Sequence, residues 1–446
     1  MAELSTTVPA CVIQRPSVKM KNPLAGAFFW LSAFYVVYCA RPGDWIPGLG
    51  YIPLAKITAC CALIALLTNL NRTKRRFRDL PRESVYLLVL IVLLFVGGFL
   101  SPVWKGGAVS HTIDFAKVYV AWVLTFLVIT EFEKQRRVIY IQAASVMIIS
   151  AVSILKGHGR PRLEGVIGGI YSNPNDLAFA IVLSLPFCLA FLVSCKSIIG
   201  KVTWLGGMLI MMAALFMTAS RAGFIDLVIS GTCCLWHFGV KGKRFYLILA
   251  SAFFAGVIML TAGGKLTARF EALSGDSQTD QSAYGSYVER RYLMTKAIEG
   301  IEHYPVFGVG ANDFVTYSGI WHEVHMTYLQ MAVEGGVPVL ILYLMFFAGG
   351  FRNLRLLRKM RDLDPNIKLF IGALHSSLIG FVVGALFAPE AYQFFPYFAV
   401  AYSSTLLAIL SAQKSTAIAD KTPTFRNRRD FINYGTRSRL NALTVK

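Results

Sequence analysis

Leu177-Ala178-Phe179-Ala180-Ile181-Val182-Leu183-Ser184-Leu185-Pro186-Phe187-Cys188-Leu189-Ala190-Phe191-Leu192-Val193-Ser194-Cys195 runs nineteen residues without one charged side chain. A helix rises about 1.5 Å per residue and needs about 20 apolar residues to cross the ~30 Å hydrocarbon core of a bilayer, so this stretch is the length of one span. Working outward, similar stretches lie near 24–40, 51–70, 85–100, 114–130, 138–155, 203–219, 222–239, 245–262, 326–349, 369–387 and 394–412, a few of them carrying a polar residue such as Lys56, Lys117, Asp226 or Glu334. Composition agrees, since 55% of the 446 residues are apolar or aromatic and only 15% are charged, with a mean hydropathy of +0.56. A soluble domain carries about 25% charged residues, which excludes an ordinary soluble enzyme. The expected fold class is an all-α polytopic integral membrane protein of about twelve transmembrane helices with one large loop on the outer side.

The formal charge of +20 is read from where the cations fall. Alternate connections, from the residues before the first span to those after the last, hold 31 of the 44 Lys and Arg. The positive-inside rule assigns that set, and both termini, to the cytoplasm. The charge is a topology signal and calls for no nucleic-acid partner. Residues 1–23 are expected as a cytoplasmic N-terminus, 24–412 as the membrane domain with an outer loop at 263–325, and 413–446 as a basic, disordered cytoplasmic tail that can touch anionic lipid. The first span reads as a signal anchor, because no small-residue cleavage site follows it. The eight cysteines sit mostly within spans, including the pairs Cys60-Cys61 and Cys233-Cys234, and their spacing gives neither a disulfide framework nor a zinc site.

Basic residues on the outer side run against the topology bias and need another reason. Arg162 and Arg221 lie in Gly-, Asn- or Ser-rich connections, Arg162-Leu163-Glu164-Gly165, Asn173-Pro174-Asn175-Asp176 and Thr218-Ala219-Ser220-Arg221. A planar guanidinium binds phosphate oxygens in pairs, so arginines gathered there suit an anionic ligand. Apolar residues Val288, Tyr292, Leu293, Ala297, Ile298 and Ile301 recur at helical spacing, which predicts an amphipathic helix over 287–302 carrying Arg290 and ended near Pro305. Beyond it Trp321-His322-Glu323-Val324-His325 places two imidazoles and an acid at the mouth of a span, a pattern suited to acid–base work.

Several motifs fail on spacing. His322 and His325 are three residues apart, not the four of a zinc protease helix, and no metal is expected there. Gly308-Val309-Gly310 lacks a third glycine, and neither a phosphate-binding P-loop nor a serine-esterase elbow occurs. His111, His158 and His303 read as surface residues.

The blocks, taken in order, resemble the bacterial O-antigen ligase and Wzy-type O-antigen polymerase superfamily of membrane glycosyltransferases. They are Arg162-x-x-Gly165 with Asn173-Pro174-Asn175; Thr218-x-Ser220-Arg221; Glu289-Arg290 with Pro305-x-x-Gly308-Val309-Gly310; and His325-x-x-Tyr328-Leu329-Gln330 with Glu334-x-Gly336. Met326 departs from the pattern, which commonly has Asn or Ser after the histidine. Arg41-Pro42-x-Asp44-Trp45 is similar to a loop in glycosylation-ligase relatives linked to exosortase systems. The resemblance implies a fold like the C-class membrane glycosyltransferases and transfer of a glycan from undecaprenyl pyrophosphate to an acceptor hydroxyl on a lipid, glycan or protein. It places the active site at the periplasmic face of the inner membrane and implies an inverting route without metal or other cofactor. His325 would be the general base, Arg162, Arg221 and Arg290 would bind the pyrophosphate, and His322, Glu323 and Asn175 would support them. The neighbouring alternatives are a polymerase using the same donor, a transporter of lipid-linked glycan and a scaffold for an assembly complex. A transporter would carry more charge within its spans.

Overall fold

The computed structural model describes residues 24–157, 162–163, 171, 173–253, 256 and 281–421, with backbone alone at 281–287 and 416–421. The expected N-terminal segment 1–23, most of the tail, and His158 lie outside the described residues. Among those described there are helices and no strands. The helices are α1 Ala25–Ala40, α2 Leu54–Leu67, α3 Arg82–Leu100, α4 Lys105–Val128, α5 Phe132–Lys156, α6 Pro174–Ser194, α7 Ile198–Thr218 and α8 Arg221–Cys234. After them come α9 Gln281–His303, the short α10 Phe314–Ser318, α11 Thr327–Lys359, α12 Pro365–Gly384 and α13 Phe394–Lys421. The chain is an all-α polytopic membrane protein: nine helices among the described residues are long and apolar enough to cross a membrane, and α1 and α2 are shorter apolar helices. The span expected at 245–262 lies partly outside the described residues.

The helices are apolar on two faces because they meet two apolar surroundings. On α3 the residues Leu87, Leu90, Ile91, Leu94, Gly97 and Gly98 are buried, while Val85, Leu88, Val92, Val96 and Phe99 are exposed on the outside of the bundle. In water that outward row would be a large apolar patch; in lipid it is the expected surface. Inside, α3 packs on α4 and α11, and α12 packs on α6 and α8. Polar side chains are folded inward and bonded to one another: Tyr402 Oη donates to Gln142 Oε1 at 2.7 Å and Asn353 Nδ2 donates to Ser404 Oγ at 3.0 Å. In a hydrocarbon surround an unmade hydrogen bond has no water to replace it, so such pairs fix which helix faces which. Arg75 caps the end of α4, donating to Phe126 O at 2.6 Å and Ile129 O at 3.1 Å.

The helix expected over 287–302 is present and extends back to Gln281, but its apolar residues divide. Leu293 and Ala297 are fully buried, whereas Val288, Tyr292 and Ile298 remain exposed. The buried pair joins Val309, Phe314, Val324 and Val333 in a small second core seated on α11. α4 starts at Lys105, ahead of the expected edge at 114, because the polar turns through His111 and Asp114 stay helical beyond the apolar stretch.

Candidate functional site

Three connections meet at the end of the bundle where α6, α8 and α11 begin. Asn173 caps α6 by accepting from the Asn175 N–H at 2.9 Å, with Pro174 at the first helical position. That turn presents Asn175 Oδ1 to the hydroxyl of Ser220, which donates at 2.7 Å. Ser220 in turn caps α8, accepting from the Gly223 N–H at 3.1 Å. Ala219, at φ +48°, makes the sharp turn between α7 and α8. Arg221 is therefore the first residue of α8, a position where the helix dipole disfavours a cation and would welcome an anion. Arg162 bridges the same corner, Nε donating to Thr218 O at 3.0 Å and Nη2 to Asn175 Oδ1 at 3.4 Å. Those two bonds tie the end of α7 to the start of α6, so Arg162 braces the site as well as lending it charge.

α9 brings Arg290 into electrostatic range of Arg221. Burial, followed by the Arg221 charge, pulls the Arg290 guanidinium below its ordinary value, and Glu289 only partly opposes them. Two guanidiniums held together this way repel, and an anion between them removes the repulsion. Arg290 Nε is buried with no hydrogen-bond partner among the described residues. The neighbouring Glu289 pairs with His322 Nδ1 at 2.7 Å, which ties α9 to the segment before α11.

His325 stands two residues before α11 and is pushed down to about 4, first by burial and then by the Arg290 and His322 charges. The imidazole is consequently neutral near pH 7. Its Nδ1 is buried without a hydrogen-bond partner among the described residues. The start of α11 is held by a distant loop, with Thr327 N donating to Ala385 O at 2.8 Å and Thr327 Oγ1 to Ala388 O at 2.6 Å. The same oxygen accepts from Glu390 N at 3.0 Å.

Behind the basic face stands an acidic one. The carboxyl groups of Glu390 and Asp176 interact, and two carboxylates held together this way resist ionising at once. Burial, with Asp176, Glu323 and Asp226 facing it, holds Glu390 well above the usual carboxylate range. Glu323 is pushed up to about 7 by burial. Glu334 accepts from Tyr392 Oη at 2.6 Å.

The glycines of the 305–310 and 334–336 blocks have a packing role. α11 is broken at Gly336, at φ 81° and ψ 171°, and the turn segment 305–310 lies against the break. Val309 N donates to Val333 O at 2.8 Å, Gly310 N to Glu334 O at 3.0 Å and Val337 N to Pro305 O at 2.8 Å. A Cβ on Gly308 would sit 2.4 Å from Glu334 C, and one on Gly336 2.3 Å from Val306 O. Both also have positive φ, so only glycine fits without moving the backbone.

Every sequence-predicted site residue thus gathers at one end of the bundle, Arg162, Asn175 and Arg221 on one side and Arg290, His322, Glu323 and His325 on the other. Among the described residues, the donors close enough to share a metal ion are Cys233, His237 and His375, which lie elsewhere. Residues 206–344 match the O-antigen ligase family. The match takes in Arg221, Arg290 and His325 and stops short of Arg162 and Asn175. It supports a membrane protein of the glycan-transferring ligase and polymerase kind. A comparison with curated proteins finds no match.

Sequence reasoning missed Asp176, Glu390 and the Thr327 clasp. Glu390 carried a usable signal, since it is the single Asp, Glu, Lys or Arg between Lys368 and Lys414. An acid kept within a long apolar segment is a functional candidate by its cost alone. Thr327 carried none, because its partners lie about sixty residues away.

Proposed function

We propose that the protein is an O-antigen ligase-like glycosyltransferase that moves a glycan from undecaprenyl pyrophosphate to an acceptor hydroxyl at the periplasmic face of the inner membrane. The observation that carries the reading is the meeting of Arg221, Arg290 and His325, from three separate segments, inside the O-antigen ligase match. Arg221 and Arg290 bind the pyrophosphate and stabilise the charge that grows on it as the anomeric C–O bond breaks. Arg162 holds the corner that positions Arg221. The acceptor oxygen attacks the anomeric carbon from the face opposite the pyrophosphate, which inverts the configuration, and its proton passes to His325. The leaving group departs as undecaprenyl pyrophosphate, and no metal enters the route.

Free His325 is a weak base at about 4. The donor itself corrects this, because a bound pyrophosphate offsets the Arg290 charge that helps depress the imidazole. Basicity rises when the substrate is in place.

The test deletes the gene and complements it with wild type or His325→Ala, measuring the lipid-linked glycan that accumulates. Wild-type chain should clear it and His325→Ala should not, at equal protein level. Long polymer stranded on the carrier marks a ligase, while single repeats replace that assignment with a polymerase. Near-normal transfer by His325→Ala would remove the mechanism.

A further inference from the structure

α8 leaves the site at Arg221 and ends at Cys234, and the helical turn that continues it carries His237, sixteen residues and about 24 Å from Arg221. Here the helix changes character. Leu235–Val240 is a π-helical turn, closed by Lys241 N donating to Trp236 O at 2.9 Å. Such turns are uncommon and concentrate at functional positions. Cys233, at the end of α8, and His237, four residues on in the π-helical turn, both face α12, where His375 stands. Gly372, one turn before His375, lets the helices close: a Cβ there would lie 3.2 Å from His237 Cβ.

Three donors from these side chains meet. His237 Nε2 is 3.0 Å from His375 Nδ1, Cys233 Sγ is 3.4 Å from the same nitrogen, and all three atoms lie within 4.8 Å of one another. Tetrahedral zinc, with Zn–N about 2.0 Å and Zn–S about 2.3 Å, sets neighbouring donors roughly 3.3–3.5 Å apart. Two of the three edges already stand near those values. The His375 ring is held edge-on by Phe351, with centroids 5.9 Å apart.

We propose that Cys233, His237 and His375 form a binding site for one zinc-class divalent ion, with a fourth position open to the adjoining cavity. That cavity, of 420 Å³, has His237 in its wall and is ringed by Lys241, Arg244, Arg358 and Lys368. Binding displaces the Cys233 proton to solvent, and the thiolate offsets one of the ion's two charges. Arg358 stands in the wall of the same cavity. The cavity's cations favour an anion, such as phosphate or hydroxide, as the fourth ligand. The charge distribution assigns this end to the cytoplasm, whose reducing conditions keep Cys233 a thiol. The site is independent of the transfer reading and lies too far from Arg221 to act on the donor.

The test loads purified full-length protein in nanodiscs with Co²⁺ and removes the excess. Wild type should retain one ion per chain and show a thiolate-to-cobalt charge-transfer band in the near ultraviolet. Cys233→Ser should lose the band, and His237→Gln and His375→Gln should each weaken binding about tenfold or more. Elution and melting of each variant check its fold, and the loss of the band in Cys233→Ser stands by itself should a histidine variant misfold. Retention no greater than in the Cys233→Ser/His375→Gln double variant, or a band that survives Cys233→Ser, would overturn the proposal.

Discussion

In the proposed transfer, His325 sets the pH behaviour of the site. With the imidazole lowered from 6.5 to about 4 in the free protein, the base is available above that value and lost as pH falls through it. Donor binding lifts it, so the acid limb of kcat, which reports the donor complex, should lie at higher pH than the acid limb of kcat/KM. Measuring both limbs with a soluble-acceptor assay checks this, and coincident limbs would remove the link between the pyrophosphate and the imidazole. The same shift has a stability consequence of defined sign. Between about 4 and 6.5 the native histidine holds fewer protons than the unfolded one, so its contribution rises with pH across that window. Glu323, raised from 4.5 to about 7, works in reverse, its contribution falling as pH rises through the interval. The histidine and the arginines could be read in sequence because they fall in connections that the charge pattern expects on the outer side, where cations are out of place. The acid pair could not, since Asp176 and Glu390 become partners only when α6 and the loop after α12 are packed together.

At the scale of elements, the break in α11 decides whether the site forms. Segment 305–310 and the turn at Gly336 occupy each other's side-chain space, and the hydrogen bonds across them carry the start of α11 to its place beside α9. Gly336→Ala should lower stability by about 2–4 kcal/mol, seen as a drop in melting temperature and in the amount of folded protein. The loss should fall on transfer too, although no reacting atom is touched. An unchanged melting temperature would mean that the break adjusts freely. The sequence marked these blocks as part of a pattern without revealing their task. Glycine spacing is compatible with phosphate approach or with backbone packing, and only the contact between 308 and 334 distinguishes them. The Cys233–His237–His375 cluster was invisible for a related reason: His237 and His375 are 138 positions apart, on two helices that each read as ordinary spans.

For the whole molecule, the span pattern was legible because lipid imposes a length and a composition that few other surroundings demand. Edges were less so, as in α4 and α13, where helix continues past the apolar stretch. The topology yields a direct prediction. Alkaline phosphatase fused after residue 320 should be active, and fused after residue 242 inactive, when enzyme activity is measured in whole cells. The reverse result would turn the molecule over and move the site to the cytoplasm. The clasp on Thr327 by Ala385, Ala388 and Glu390 has a consequence in time. During synthesis the ribosome delivers the arginines and His325 to the membrane long before it reaches residue 390. Until then the start of α11 lacks the loop that holds it. On the proposed function, a nascent chain, or one cut short by a premature stop before this loop, should therefore be inert, with activity beginning only when nearly the whole membrane domain has been inserted.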